Sequence, residues 1–136
     1  MKNLLLLALL MNSFVMFSQC DTLRYKYPVF DSISEILNVK YGEAPIWTFP
    51  YQNTDLLMDI YLPENDYVSS RPLMLWVHSG GFLTGDESAD DMVALCDSFA
   101  RRGYVTASIG YRLGFNPLSQ TSAERAVYRG TQDMRA

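Results

Sequence analysis

Arg71-Pro72-Leu73-Met74-Leu75-Trp76-Val77-His78-Ser79-Gly80-Gly81-Phe82-Leu83-Thr84-Gly85 is the stretch whose reading decides the fold. Residues 72–77 form a nearly unbroken apolar run of strand length, the pattern of a parallel strand buried on both faces. The polar pair His78 and Ser79 ends that run, and Gly80 and Gly81 follow at once. Adjacent glycines after a buried strand let the backbone turn sharply and bring its N–H groups close to a ligand. Such groups can stabilise a developing oxyanion. A plain strand-to-helix turn would use the same glycines, so the flanking sequence has to decide.

Downstream, the signals are those of a helix followed by a strand. Ser88 with Asp91 three residues on predicts a capping box, and Asp90 and Asp91 suit the positive end of a helix dipole. Met92, Leu95, Cys96 and Phe99 recur at helical spacing, Arg101 and Arg102 fall in the last turn, and Gly103 stops the helix. Residues 104–109 are again apolar and β-rich. Strand, glycine turn, helix and strand make a βαβ unit, which crosses over right-handed and makes its strands parallel. The fold class is therefore α/β. The acidic cluster Asp86, Glu87, Asp90 and Asp91 reads as helix capping on a solvated face rather than as a metal or acid/base site.

Upstream, residues 46–49 and 56–62 read as two strands joined by a turn over 50–55, a hairpin that ends at Pro63. Asp59 reads as a polar residue on the exposed side of an edge strand, and residues 64–70 as a polar loop. Ile33, Ile36 and Leu37 predict a short packing helix over 32–39. Near the far end, Asn116-Pro117 marks a loop. Thr121 or Ser122 opens a last helix, with Glu124 completing a capping box after Thr121. Ala126, Gly130 and Met134 recur every four residues, a face suited to close packing against a sheet.

The chain of 136 residues is one domain at most, and 49% hydrophobic residues are enough for a packed core. A formal charge of -4 without a basic cluster argues against nucleic acid or an anionic membrane surface as partner. Lys2 precedes an apolar stretch over 4–10 that continues to Phe17, the layout of a secretory signal peptide over 1–19, with the domain following over 20–136. Export to the periplasm or outside is expected, with no membrane attachment after the signal is removed. Lipid anchoring through Cys20 is the weaker reading, because Gln19 stands where a small residue is wanted. Cys20 and Cys96 are the only cysteines, too few for a disulfide framework, and Cys96 reads as a small buried hydrophobe. One histidine and two distant cysteines do not supply a zinc site. No metal or organic cofactor is implied.

His78-Ser79-Gly80-Gly81-Phe82 resembles the H-G-G-G type motif of the esterase, lipase and carboxylesterase branches of the α/β-hydrolase superfamily, with Ser79 in place of the commonest first glycine. Asp59-Ile60-Tyr61-Leu62-Pro63 resembles the D-x-Y-x-P ending of an early strand in secreted esterases of that superfamily. Tyr111-Arg112-Leu113 is similar to the Y-R-L segment after its fourth strand, and residues 126–136 resemble the helix before its nucleophile strand. The resemblance implies the N-terminal half of an α/β-hydrolase fold: a β-hairpin, a parallel βαβ unit and a further helix. It implies oxyanion-hole donors from the Gly80 and Gly81 backbone N–H groups, loop positioning by His78, and a structural hydrogen-bonding role for Arg112. The activity implied is hydrolysis of carboxylic esters by a serine enzyme, on a small-molecule or carbohydrate-linked ester.

The sequence contains no G-x-S-x-G: the glycine pairs Gly81/Gly85 and Gly110/Gly114 enclose Leu83 and Arg112, which are not nucleophiles. His78 is the only histidine, and it sits at the glycine turn rather than at the base position. Residues 1–136 are thus expected to be the N-terminal part of a longer hydrolase, inactive alone. The strand over 72–77 would then be an apolar edge that invites self-association. The alternative from another class is a non-catalytic exported α/β binding or structural module.

Overall fold

The computed structural model describes residues 23–46, 52–119 and 121–136. Strands β1 (Ile33–Pro45), β2 (Asn53–Pro63), β3 (Leu73–Val77) and β4 (Val105–Ile109) form one sheet in the order β1-β2-β4-β3. The β1/β2 and β2/β4 pairs are antiparallel; β3 and β4 are parallel. Helix α1 (Asp90–Ala100) connects β3 to β4, and α2 (Ser122–Asp133) follows β4. The expected βαβ unit and the α/β class are therefore present, with a hairpin before the unit and a helix after it. The expected signal peptide lies outside the described residues.

The sheet is centred on β4, where Thr106, Ala107, Ser108 and Ile109 are all buried. Tyr61 from β2 and Cys96 and Ala100 from α1 form the core, with Ile33, Trp76 and Val93 packed against them. Cys96 is a free, fully buried thiol whose pKa is raised by that burial, and its backbone carbonyl accepts a hydrogen bond from the Thr106 hydroxyl at 3.0 Å. On β3 only one face is covered. Trp76 packs on Phe99 of α1 with ring centroids 5.3 Å apart, whereas Leu73 is 58% and Leu75 52% exposed. A strand buried on both faces was expected. In the described sheet β3 is the edge, and only α1 lies against it.

The first strand of the hairpin is β1, which overturns the helix expected over 32–39. Pairing with β2 from Ile33 opposite Pro63 overrides the helical spacing. Irregularities between Ile36 and Val39 and between Lys40 and Gly42 interrupt the two-residue alternation of side chains, and Ile36 and Leu37 are exposed rather than packed on a helix face. At the first of these Asn38 has φ +57°, and its N–H donates to Asp59 Oδ1 at 2.7 Å. Asp59 is consequently 4% exposed, not a solvent-facing residue of an edge strand. It satisfies a backbone donor that the irregularity frees from the ladder. Residues 56–62 lie in β2, which ends at Pro63 as expected. Of the strand expected over 46–49, Ile46 follows the end of β1 and residues 47–49 lie outside the described residues.

Neither expected capping box forms. Ala89, not Ser88, is the N-cap of α1; the Ser88 hydroxyl donates to Asp86 Oδ1 at 2.6 Å, and the same oxygen takes the Ser88 N–H at 2.9 Å. This local Asx turn holds Ser88 away from the helix. Asp90 and Asp91 do occupy the first turn, where the dipole favours them. Thr121 is the N-cap of α2 in a helical backbone conformation without a side-chain cap, and the Ser122 hydroxyl donates to the Ser119 carbonyl at 2.9 Å. Arg101 is the C-cap of α1 and Arg102 lies beyond it, while Gly103, at φ +98°, ends the turn as expected.

The loop over 64–70 is not merely polar. Asp66, with a side chain 3% exposed, takes Arg24 Nη1 at 3.0 Å and Arg71 Nε at 2.6 Å, tying the segment before β1 to the chain before β3. The Arg24 guanidinium, supported by the Val68 N–H and Arg71, holds the Asp66 carboxyl at about 2 against burial, which acts the other way. A depressed carboxyl pKa stabilises the fold fully above its unfolded value of 3.8, and that contribution is lost as pH falls through about 2. It amounts to about 2 kcal/mol, at roughly 1.4 kcal/mol per pH unit of difference. Urea denaturation of wild type and Asp66→Asn is therefore expected to show a gap at pH 6 that closes between pH 4 and pH 2; a gap independent of pH refutes the assignment.

Candidate functional site

Directly after β3 the chain buries His78, which is 3% exposed. Its Nδ1 lies 2.7 Å from the Ser79 carbonyl, to which it donates. Tyr111, two residues after β4, donates its hydroxyl to the His78 carbonyl at 3.0 Å and stacks on the imidazole with centroids 4.2 Å apart and planes 10° apart. The histidine is thus gripped from main chain and ring together. A His78-Ser79 nucleophile pair is ruled out by this arrangement, since the imidazole faces the serine's carbonyl and not its hydroxyl.

The turn that follows needs its glycines. Gly80 has φ +116° and Gly81 φ +61°, and a Cβ on Gly80 would collide with the Thr84 carbonyl. The Leu83 and Thr84 N–H groups converge on the Gly80 carbonyl at 3.0 and 3.4 Å and close the turn. Phe82 also adopts a positive φ, +61°, and is held on both sides. Its ring meets Tyr111 edge-on at 5.4 Å and fills space that a side chain at Gly130 of α2 would occupy. Its carbonyl accepts the Gly114 and Phe115 N–H groups at 2.9 and 3.0 Å. Among the described residues, the Gly80 and Gly81 N–H groups take no backbone acceptor, and both residues are exposed. Two consecutive N–H groups at such a turn form a concavity suited to an anionic oxygen.

Arg112 has the structural role expected of it. Its backbone N–H and its Nη2 reach Asp133 at 2.9 and 2.7 Å, its Nε bonds both carboxylate oxygens, and its Nη1 donates to the Pro45 carbonyl at 3.0 Å. The two side chains are only 8% and 2% exposed. Close by, the Tyr41 hydroxyl donates to the Gly110 carbonyl at 2.7 Å; burial, with the negative charges of Asp133 and Glu87 adding, pushes its phenol up to about 12.

Beside the turn lies a cavity of about 270 Å³ lined by His78, Gly85, Glu87, Gly110 and Tyr111 among others. Glu87 is half-buried in it, with its carboxylate against Gly110, so one member of the acidic cluster is not on the solvated helix face. No group of three or more His, Cys, Asp or Glu among the described residues is arranged to hold a metal. The sequence brings out His78, Gly80 and Gly81, which the fold places in one continuous loop. Tyr111 and Phe82 fall within the Tyr111-Arg112-Leu113 and His78–Phe82 segments read from the sequence, but their part in holding the loop, and that of Asp133 in holding its surroundings, was not legible there. The four-residue recurrence around Gly130 was the one signal for part of this contact.

A family model, BD-FAE, matches residues 58–122. Phenmedipham hydrolase of Pseudarthrobacter oxydans is 39% identical over 66 residues, covering 48% of this chain and 13% of that protein. Carboxylesterase 3B of Mus musculus is 32% identical over 105 residues, covering 75% of this chain and 18% of that protein. The chain thus spans less than a fifth of these curated relatives. A crystal structure of phosphonate-inhibited esterase B from Lactobacillus rhamnosis aligns with a TM-score of 0.50 and 21% identity, over 94% of this chain and 38% of that one.

The buried Arg112/Asp133 pair is expected to be essential for stability. Asp133→Ala leaves a guanidinium buried without its partner, and a cost of about 3–5 kcal/mol is expected. Urea unfolding measures it, and a shift below about 1 kcal/mol, the range of an exposed pair, contradicts the structural role.

Proposed function

We propose, for a chain that carries the α/β-hydrolase fold and is esterase-like in sequence, that it supplies the oxyanion-binding half of a serine hydrolase of carboxylic esters. The observation that carries this reading is the exposed glycine pair Gly80 and Gly81, whose N–H groups take no backbone acceptor among the described residues, on a turn fixed by His78, Tyr111 and Phe82. A serine hydroxyl attacks the ester carbonyl, its proton passing to a histidine, and the carbonyl oxygen becomes an oxyanion. The Gly80 and Gly81 N–H groups then meet that charge, and a further donor is the N–H of the residue after the serine. The acyl-enzyme formed as the alcohol leaves is hydrolysed by water. The serine, acid and histidine of this scheme belong to sequence beyond Ala136. His78 positions the loop and takes no proton.

The substrate class is a small-molecule or carbohydrate-linked ester, and the leader read over 1–19 makes the protein exported. Phenmedipham hydrolase and carboxylesterase 3B both bear hydrolase or esterase names, which supports ester chemistry without specifying the substrate. In the longer protein, Gly80→Ala pushes a methyl group against the Thr84 carbonyl and turns a donor away. Loss of one such donor lowers kcat by about 10²-fold or more, with KM little changed. An unchanged kcat toward a p-nitrophenyl ester sinks the oxyanion role, as does a stop codon directly after the codon for Ala136.

The exposed edge of β3 supports the expected self-association of the 136-residue chain on its own. Size-exclusion chromatography with light scattering is expected to find oligomers that Leu75→Lys reduces. A monomer for the unmodified chain speaks against it.

A further inference from the structure

Helix α1 ends at Ala100 with no basic residue in its last turn, so its final carbonyls and the negative end of its dipole need partners from elsewhere. The segment just before β1 supplies them. The Tyr25 N–H donates to the Arg102 carbonyl at 2.8 Å, and the Val29 and Phe30 N–H groups converge on the Arg101 carbonyl at 2.8 and 3.0 Å. Arg24 Nη2 reaches the Gly103 carbonyl at 3.2 Å. The same guanidinium pairs with Asp66, which also takes Arg71 ahead of β3, so one side chain spans the exit of α1 and the entry to β3. It is enclosed as well: it lies 5.1 and 5.2 Å from the Tyr25 and Phe30 ring centroids, and a Cβ on Gly103 would stand 2.8 Å from Arg24 Nε. Tyr25 packs on Tyr104 with centroids 4.9 Å apart and holds φ +71°, a conformation that this packing compensates.

We propose that residues 24–30 are a clasp, anchored by Arg24, that holds the βαβ unit shut and that a single cut after Lys26 releases. Lys26 is exposed in the middle of the clasp, and Lys2, Lys26 and Lys40 are the only lysines in the chain. Lys40 is set in β1, opposite Leu57 of β2. A lysine-specific endoprotease adds water across the Lys26–Tyr27 peptide bond, leaving a carboxylate on Lys26 and an ammonium on Tyr27. The Lys26 and Tyr27 N–H groups both donate to the Leu23 carbonyl, at 3.3 and 3.0 Å, and cleavage waits on the opening of that turn. Once cut, Arg24 and Tyr25 are no longer tethered to Val29 and Phe30, and the anchor loses the high effective concentration that tethering gives it. The clasp lies at the opposite end of β3 from the glycine turn and does not depend on ester hydrolysis.

Digestion of the intact protein with a lysine-specific endoprotease, followed by mass spectrometry, tests the clasp. Wild type is expected to be cut at Lys26 more slowly than a synthetic peptide spanning residues 23–31. Arg24→Gln should speed that cut about tenfold relative to the cut at Lys40, the equivalent of one charged hydrogen bond. Asp66→Asn, which removes the charge facing Arg24, should speed it likewise. The cut protein should melt about 4 °C lower or more, whereas Lys26→Arg, which the protease does not attack there, keeps its melting temperature through the same treatment. Cleavage of wild type as fast as the peptide, an unaltered Lys26 to Lys40 ratio in both variants, or an unchanged melting temperature after the cut each overturns the proposal.

Discussion

A buried guanidinium and a buried carboxylate, Arg112 and Asp133, connect the parts of this structure that matter most. Arg112 sits three residues past the central strand and Asp133 at the end of the last described helix, so their bidentate contact fixes α2 against the exit of β4. The third reach of Arg112, to the Pro45 carbonyl, ties in the end of β1. With α2 in place, Gly130 leaves the space that the Phe82 and Tyr111 rings occupy. Tyr111 in turn grips His78, and Phe82 anchors the turn itself. An interaction remote in sequence thus determines how firmly the glycine turn is held.

That rigidity has a chemical meaning. An N–H group stabilises a developing charge best when it need not reorient, and the turn combines backbone conformations that only glycine adopts readily with packing that prevents relaxation. The positive φ of Phe82 is tolerated because its ring and its carbonyl are both engaged. Under the proposed function, the loop would present preformed donors to a reacting centre built by other parts of the protein. The burial of β3 is one-sided: Leu73, Leu75 and Val77 are left exposed by the described residues.

Several expectations failed for one kind of reason. Ser88 and Thr121 had the residue types of caps, yet Asp86 took Ser88 and Thr121 adopted a helical backbone conformation without a side-chain cap. Asp59 looked solvent-facing because strand alternation alone says nothing about an irregularity on the facing strand, where Asn38 needed an acceptor. The helical spacing of Ile33, Ile36 and Leu37 marked no buried face: Ile36 and Leu37 are exposed on β1, which pairs with β2. Glu87 stood in an acidic run that suits a helix start, but the path of the loop before α1 carried it to Gly110.

The amino-acid sequence by itself determined the α/β class, the βαβ unit, the second hairpin strand and the glycine turn after β3. Each rests on periodicity or on backbone freedom that a few adjacent residues encode. Only the tertiary structure decided that β1 is a strand, that Asp59 and Asp66 are buried, that Asp133 is the partner of Arg112, and that residues 24–30 close on the end of α1. Those features depend on which surfaces meet across tens of residues. The free energy of such meetings comes from burial and charge pairing, which local spacing does not record.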